Sequence, residues 1–181
     1  DLGIAVVPNA VDLVQFDAPP RPRGEPPTVG FIYAHARFKG ADICIRACEL
    51  ARREVPDLRV LAFGGDTPSP ELPLPAGAEF VHRPPQDRIA SLYARCDAWL
   101  FGSRLDSFGL PILEAMACRT PVIGVPVGAA PELLADGGGV LVPPESPEAM
   151  GAAIVALCRG PEAQWRRASE RAHARAHGYS W

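Results

Sequence analysis

The chain has 181 residues, 48% of them hydrophobic and 22% charged, with a formal net charge of −3. That length suits about one domain with a real core, and the ordinary composition excludes a disordered or fibrous chain. The slight acidity excludes an overall electrostatic footprint for nucleic acid, and no apolar run approaches the roughly 20 residues that span a bilayer.

No segment reads as a signal peptide. The five cysteines, Cys44, Cys48, Cys96, Cys118 and Cys158, form no C-x-x-C pair and fall in or beside predicted helices. They read as free buried thiols of a reducing compartment. The abrupt opening Asp1-Leu2-Gly3 and the closing Trp181 read as a domain cut from something larger.

In chain order, Ile4–Val7 is a short apolar run stopped by the Pro8-Asn9 turn. Residues 18–27, rich in Pro, Arg and Gly, are expected to form a connector without a core face. Thr28–Tyr33 reads as a buried strand, and a polar loop follows through Lys39-Gly40. Ile43, Ala47, Leu50 and Ala51 then recur at helical spacing. Leu58–Phe63 is the next strand, ending at Gly64-Gly65-Asp66 before a Pro-rich surface loop to Pro75. Glu79–Val81 is a brief strand, and Ile89, Leu92, Tyr93 and Cys96 share one helix face.

Ala98–Phe101 is a strand leading to a helix over Pro111–Cys118; Pro121–Val125 is a strand and Ala130–Leu134 a short helix. The Gly137-Gly138-Gly139 turn, which lacks the context of a phosphate loop, precedes a last strand at Val140–Val142. Ser146-Pro147 places a capping residue before a first-turn proline, and the helix behind it turns Met150, Ile154, Leu157 and Cys158 to one side. A final helix from near Pro161 carries Arg166, Arg167, Arg171 and Arg175 on a polar face. It also carries His173 and His177, which without a third ligand read as solvated rather than metal-binding. Apolar strands alternating with helices predict an α/β domain: a doubly wound parallel sheet with helices on both faces.

In such sheets ligands sit beyond the carboxyl ends of the strands, where Ala34–Lys39, Gly64–Asp66 and Gly102–Gly109 form loops. The stretch Asp106-Ser107-Phe108-Gly109-Leu110-Pro111-Ile112-Leu113-Glu114-Ala115-Met116-Ala117 organises the rest. It sets an acid, a glycine turn, a proline at a helix start and a second acid within that helix, with seven residues between Asp106 and Glu114. Free N–H groups at a helix start favour an anion, and the flanking carboxylates suit sugar and ribose hydroxyls.

This stretch resembles the E-x7-E motif of the family 4 (group 1) retaining glycosyltransferases with the GT-B fold. The likeness extends to Lys39-Gly40, to Cys96-Asp97-Ala98-Trp99-Leu100 with Ser103, to Thr120-Pro121-Val122-Ile123 and to Gly128-Ala129-Ala130-Pro131-Glu132-Leu133. Val7-Pro8-Asn9-Ala10-Val11-Asp12 with Phe16 is similar to the interdomain connector, and Tyr179-Ser180-Trp181 to the segment where the last helix turns back to the first domain. The resemblance implies a Rossmann-like, donor-binding C-terminal half, with the N-terminal acceptor domain missing. Its divisions would be a connector over 1–27, a nucleotide-sugar-binding domain over 28–160 and a returning helix over 161–181.

By the same resemblance, Glu114 would bind ribose hydroxyls and Asp106 would meet the transferred sugar. Ser107, Phe108, Gly109 and Leu110 would contact sugar and phosphate, and Lys39 would neutralise the departing diphosphate. No metal or cofactor is implied, because a fixed ammonium and oriented N–H dipoles stabilise that leaving group. The partners implied are a nucleoside diphosphate sugar and a glycan or lipid-linked acceptor, in a cytoplasmic protein with peripheral contact at the inner face of the membrane.

The chain departs from the family pattern at three points. Tyr33-Ala34 stands where the family has Gly-Arg, leaving Arg37 as the candidate phosphate cation; Asp106 replaces a Glu; and Arg119 replaces a Gly. The Ala34 departure favours one alternative, a non-catalytic sugar-nucleotide-binding or scaffolding domain; a second is a GT-B sugar-nucleotide epimerase, in which the missing domain would supply further acids.

Overall fold

The computed structural model describes Gly3 and residues 7–180. The apolar residues Ile4–Val6, and Trp181, lie outside the described residues.

Among the described residues six short strands carry the fold: β1 (Thr28–Ile32), β2 (Arg59–Gly64), β3 (Glu79–His82), β4 (Ala98–Phe101), β5 (Val122–Gly124) and β6 (Gly139–Leu141). All pair in parallel, in the order β3-β2-β1-β4-β5-β6, so the order reverses between β1 and β4. The helices are α1 (Ala41–Arg52), α2 (Gln86–Ala94), α3 (Leu110–Ala117), α4 (Ala130–Leu133), α5 (Pro147–Arg159) and α6 (Glu162–His177). Helix α1 packs on α5, while α3 packs on α6 and α2. These two groups cover opposite faces of the doubly wound sheet, as right-handed crossovers on either side of the reversal require.

The central strands β1 and β4 bury Val29, Phe31 and every residue of Ala98–Phe101, which is why they read as continuous apolar runs. The predicted bounds hold to within a residue or two at most ends. Helix α2 stops at Ala94, so Cys96 sits in the turn after it, its thiol donating to the Leu92 carbonyl at 3.4 Å. All five cysteines are free and buried. The Ser146 hydroxyl caps α5 by accepting from Ala149 N at 3.2 Å, as its place before Pro147 predicts.

The stretch 18–27 needs correction: its first residue, Ala18, joins the core, as do Val11 and Phe16 ahead of it, and its arginines are anchored rather than solvated. Val11, Phe16 and Ala18 are buried, and the Phe16 ring meets Tyr93 edge-on at 6.1 Å. Arg21 reaches the fully buried Asp97 at 2.7 Å and donates to the Ala94 and Cys96 carbonyls. Arg23 likewise donates to the carbonyls of Leu157 and Gly160. Asp97 also accepts from Gly24 N at 2.9 Å and Thr28 N at 2.7 Å. The arginines, which in sequence mark a solvated loop, act as anchors that satisfy carbonyls left free at the ends of α2 and α5.

The last helix also differs from a plain polar face. Trp165, Ser169, Ala172 and Ala176 are buried, and the Trp165 indole donates to the Asp97 carbonyl at 2.9 Å. Arg175 donates to the Glu132 carbonyl at 2.7 Å. His173 is not solvated: its Nε2 lies 3.0 Å from Asp17 Oδ1 and its ring is 4.1 Å from that of His177. Beyond α6, Val11 N donates to the Tyr179 carbonyl at 2.8 Å, and Val11 forms a parallel bridge with Ser180. The two segments that resemble the crossings to another domain therefore lie side by side.

Candidate functional site

The loops after β1, β2 and β4 meet at the carboxyl edge of the sheet, at the reversal of strand order. His35 N donates to Asp66 Oδ2 at 2.8 Å, joining the first loop to the second. Arg104 N donates to the Phe38 carbonyl at 2.7 Å, joining the first to the third. The first loop ends in a 3-10 turn over Arg37–Lys39, closed by Gly40 at φ +67°. An added Cβ on Gly40 would lie 1.9 Å from the Gly102 carbonyl oxygen, so only glycine lets these backbones touch.

Two residues read as chemically active come together there. Lys39 Nζ and Asp106 Oδ2 form an ion pair at 3.1 Å, with side-chain exposures of 38% and 11%. Both line a small cleft with Ser103, Gly102 and Pro111, between the end of β4 and the start of α3. Gly109 begins α3 from φ +96°, a left-handed backbone that turns the chain sharply from loop into helix. Asp106 Oδ1 accepts from Phe108 N at 3.3 Å, which holds the loop folded over its own acid. The Phe108 carbonyl accepts from Ala129 N at 3.0 Å, so the Gly128-Ala129 turn supports it from behind. Ser107 and Leu110 are exposed, Phe108 is half-buried and Gly109 is buried.

Glu114 lies one turn inside α3 and faces α2. Its Oε2 accepts from the hydroxyl of the buried Tyr93 at 2.7 Å. Burial pushes the Glu114 carboxyl above its ordinary value, with the Tyr93 hydrogen bond opposing. Tyr93 is fixed by edge contacts with Trp99 at 4.5 Å and Phe63 at 5.6 Å. The second acid is thus aimed by an aromatic cluster. Tyr93 reads from sequence as a core residue only, since helical spacing is silent about its hydroxyl.

Arg37 is not brought to the Lys39–Asp106 pair. It is exposed and lines a separate open cleft of about 550 Å³ with Ala34, His35, Ser69 and Glu71. Ala34, where the resemblance calls for Arg, borders that same cleft. Arg104, absent from the sequence expectations, is the dominant cation of the three loops: it grips Asp42 with two bonds of 2.8 Å. That grip holds the Asp42 carboxyl below its usual range. Arg119, where the family has Gly, adopts φ +62°, the left-handed backbone that glycine favours. Its side chain donates to the Ala18 carbonyl at 2.8 Å, and its own carbonyl accepts from Ser169.

A mainly apolar groove of about 300 Å³ lies elsewhere, at the β6 edge between α5 and α6, lined by Val140, Ala153, Leu157 and Trp165. No carboxylate is among its lining residues. Among the described residues, no three His, Cys, Asp or Glu side chains gather as metal ligands. No helix among them is long and apolar enough to cross a membrane.

The family model for glycosyl transferases group 1 matches residues 15–175. The chain is 33% identical over 198 aligned positions to a D-inositol 3-phosphate glycosyltransferase of Segniliparus rotundus, covering 98% of this chain and 44% of that protein. A protein of the same name from Corynebacterium aurimucosum is 40% identical over 130 positions, covering 63% of this chain and 30% of the relative. The chain thus spans less than half the length of these curated relatives.

Among solved structures, the C-terminal domain of a glycosyl transferase group 1 family protein from Francisella tularensis superposes with a TM-score of 0.78 at 22% identity. That match covers 93% of this chain and 97% of the other. Sucrose-phosphate synthase from Thermosynechococcus elongatus superposes with a TM-score of 0.82 at 24% identity, covering 97% of this chain and 48% of that one. These likenesses place the fold with the Rossmann-like halves of GT-B proteins. Matched over nearly all its length by the family model, the chain belongs to the glycosyl transferases group 1 family.

Proposed function

We propose that this chain is the donor-binding half of a glycosyltransferase that takes a sugar from a nucleoside diphosphate sugar and transfers it with retention. The observation that carries the reading is the Lys39–Asp106 pair at the start of α3, with Glu114 held by Tyr93 further along the same helix. On this reading a ribose bonds to the Glu114 carboxylate, and the diphosphate lies toward Lys39 and the first turn of α3. As the bond to the sugar breaks, charge grows on the diphosphate oxygens, and the ammonium and helix-start dipoles are already in place to stabilise it. Asp106 then has two jobs: it orients Lys39 and offers its carboxylate to the donor-sugar hydroxyls. No protein nucleophile, metal or cofactor is assigned.

On this reading residues 1–27 link the domain to an acceptor-binding half, residues 28–160 hold the donor, and residues 161–181 return toward that half. The acceptor is a glycan or a lipid-linked acceptor; the relatives named for D-inositol 3-phosphate add a small phosphorylated polyol as a further class. The protein is assigned to the cytoplasm, with peripheral contact at the membrane's inner face.

Calorimetric titration of the folded chain with UDP, GDP, ADP and dTDP tests the donor half. At least one should bind, with Kd on the order of micromolar to millimolar, and Glu114→Ala should weaken it. No binding of any of the four refutes the reading. Ala34 favours a second reading, a non-catalytic sugar-nucleotide-binding domain, because it removes a phosphate cation from the first loop. Transfer by the longer protein, lost in Glu114→Ala, would exclude that alternative.

A further inference from the structure

Two regions remote from Arg104 in sequence, Arg37–Asp42 and the loop at Glu145, converge on its guanidinium, outside the paired acids. Arg104 Nη1 donates to Asp42 Oδ1 at 2.8 Å and to the Arg37 carbonyl at 2.7 Å. Its Nη2 donates to Asp42 Oδ2 at 2.8 Å and to Glu145 Oε2 at 3.0 Å, and Nε lies 2.5 Å from Glu145 Oε1. The Arg104 and Leu105 amides both approach the Phe38 carbonyl, at 2.7 and 3.4 Å. The residue thus ties the turn carrying Lys39 to the first turn of α1, to the loop carrying Asp106 and to the loop before α5.

Every nitrogen of this guanidinium already has a protein oxygen beside it, so no edge of the fork is left for a phosphate. Its side chain is only 21% exposed. The two loops it joins are the two that supply Lys39 and Asp106. Lys39 itself has a long, flexible stem and, among the described residues, pairs with the one carboxylate of Asp106, so its ammonium is only as well placed as its backbone.

We infer that Arg104 is a positioning residue: it fixes the Arg37–Lys39 turn against the Asp106 loop, and so sets where the Lys39 ammonium meets a bound diphosphate. The diphosphate part rests on the function proposed above; the positioning part does not. Asp42 and Glu145 act as its anchors. A lysine cannot replace it, since one ammonium cannot hold Asp42 in a fork, Glu145 and the Arg37 carbonyl together.

The test compares the wild-type chain with Arg104→Met, Lys39→Met, the double variant, and Asp42→Asn/Glu145→Gln, which removes the anchors and keeps the arginine. Hydrogen exchange is read at the amides of Lys39 and Gly40, which bond to the Ala36 and Arg37 carbonyls at 2.9 and 3.1 Å, and at Arg104. Arg104→Met should speed exchange there at least tenfold while leaving the amides of β1 and β4 unchanged, and the anchor variant should do so to a lesser degree. Unchanged exchange at Lys39 and Gly40 in a folded variant overturns the positioning role, whether or not any nucleotide binds.

Titration with UDP, GDP, ADP and dTDP then reads the consequence. Arg104→Met should weaken the binding diphosphate about tenfold in the wild-type background and leave it within twofold in the Lys39→Met background. An equal loss in both backgrounds overturns action through Lys39. Should none of the four bind the wild-type chain, the donor-binding reading fails, and the exchange data alone decide the role of Arg104.

Discussion

Replacing Asp97 by alanine should be among the most damaging single substitutions in the molecule, although Asp97 touches no ligand on any reading above. Its carboxylate is fully buried and accepts from Arg21 at 2.7 Å, Gly24 N at 2.9 Å and Thr28 N at 2.7 Å. Removing one partner of a buried charged pair costs about 3–5 kcal/mol, and a buried donor left unsatisfied costs about 1–3 kcal/mol. Arg21 keeps its bonds to the Ala94 and Cys96 carbonyls and is partly exposed, so part of that loss is recovered. The expected cost is therefore near the lower end, about 3–4 kcal/mol, or a fall in Tm of roughly 6–16 °C for a domain of this size. Asp97→Asn keeps one acceptor oxygen but sets an N–H group against a backbone donor, and should cost about half as much. Urea denaturation at neutral pH, followed by tryptophan fluorescence and circular dichroism together, measures both. An Asp97→Ala variant within about 1 kcal/mol of wild type would refute the clamp, since a lone hydrogen bond is worth that much. An Asp97→Asn variant as unstable as alanine would show that charge rather than hydrogen-bond geometry holds the connector.

Glu114→Gln should weaken nucleoside diphosphate binding by about ten- to a hundredfold, the loss of a charge-assisted bond of about 1.5–3 kcal/mol, read by calorimetry. The same variant should melt higher than wild type at neutral pH. Burial raises the folded-state pKa of Glu114 above its ordinary 4.5, so the stability linked to its proton is full below that value and lost as pH rises through the folded pKa. The gain should therefore vanish on titration below pH 4.5, and a gain that persists in acid would contradict the assignment. Gly40→Ala should lose about 1–2 kcal/mol from the left-handed backbone alone, with the overlap on Gly102 in addition, and should abolish the diphosphate contribution to binding. Ser146→Ala should cost about 1 kcal/mol by loss of the α5 cap, measurable by denaturation, without changing nucleotide affinity.

The sheet and its helices were legible because apolar strands and helical spacing are local signals that tertiary packing left intact. The central motif was legible for another reason: the acid, glycine turn and first-turn proline each serve one local geometry. What sequence hid were polar residues whose partners are remote. Arg21 and Arg23 look like solvent-facing loop residues until the carbonyls of Ala94, Cys96, Leu157 and Gly160 are brought beside them. Arg104 was hidden likewise, because its partners Asp42 and Glu145 are separated from it by whole elements. His173 was misread for the same reason, its carboxylate lying on the connector at Asp17. Arg119 stands where the family has Gly, but its left-handed backbone and its bond to the Ala18 carbonyl come into view only in the structure.

The pairing of Val11 with Tyr179 and Ser180 also has a mechanical consequence. Tension applied across residues 11 and 180 meets one short bridge before it reaches the Phe16 and Arg21 anchors, and no strand of the sheet lies in that path. The bridge should part at low force, leaving the six strands and their loops in register. A module attached through both segments would swing about that spot like a door on one hinge, while the Lys39–Asp106 cleft kept its shape.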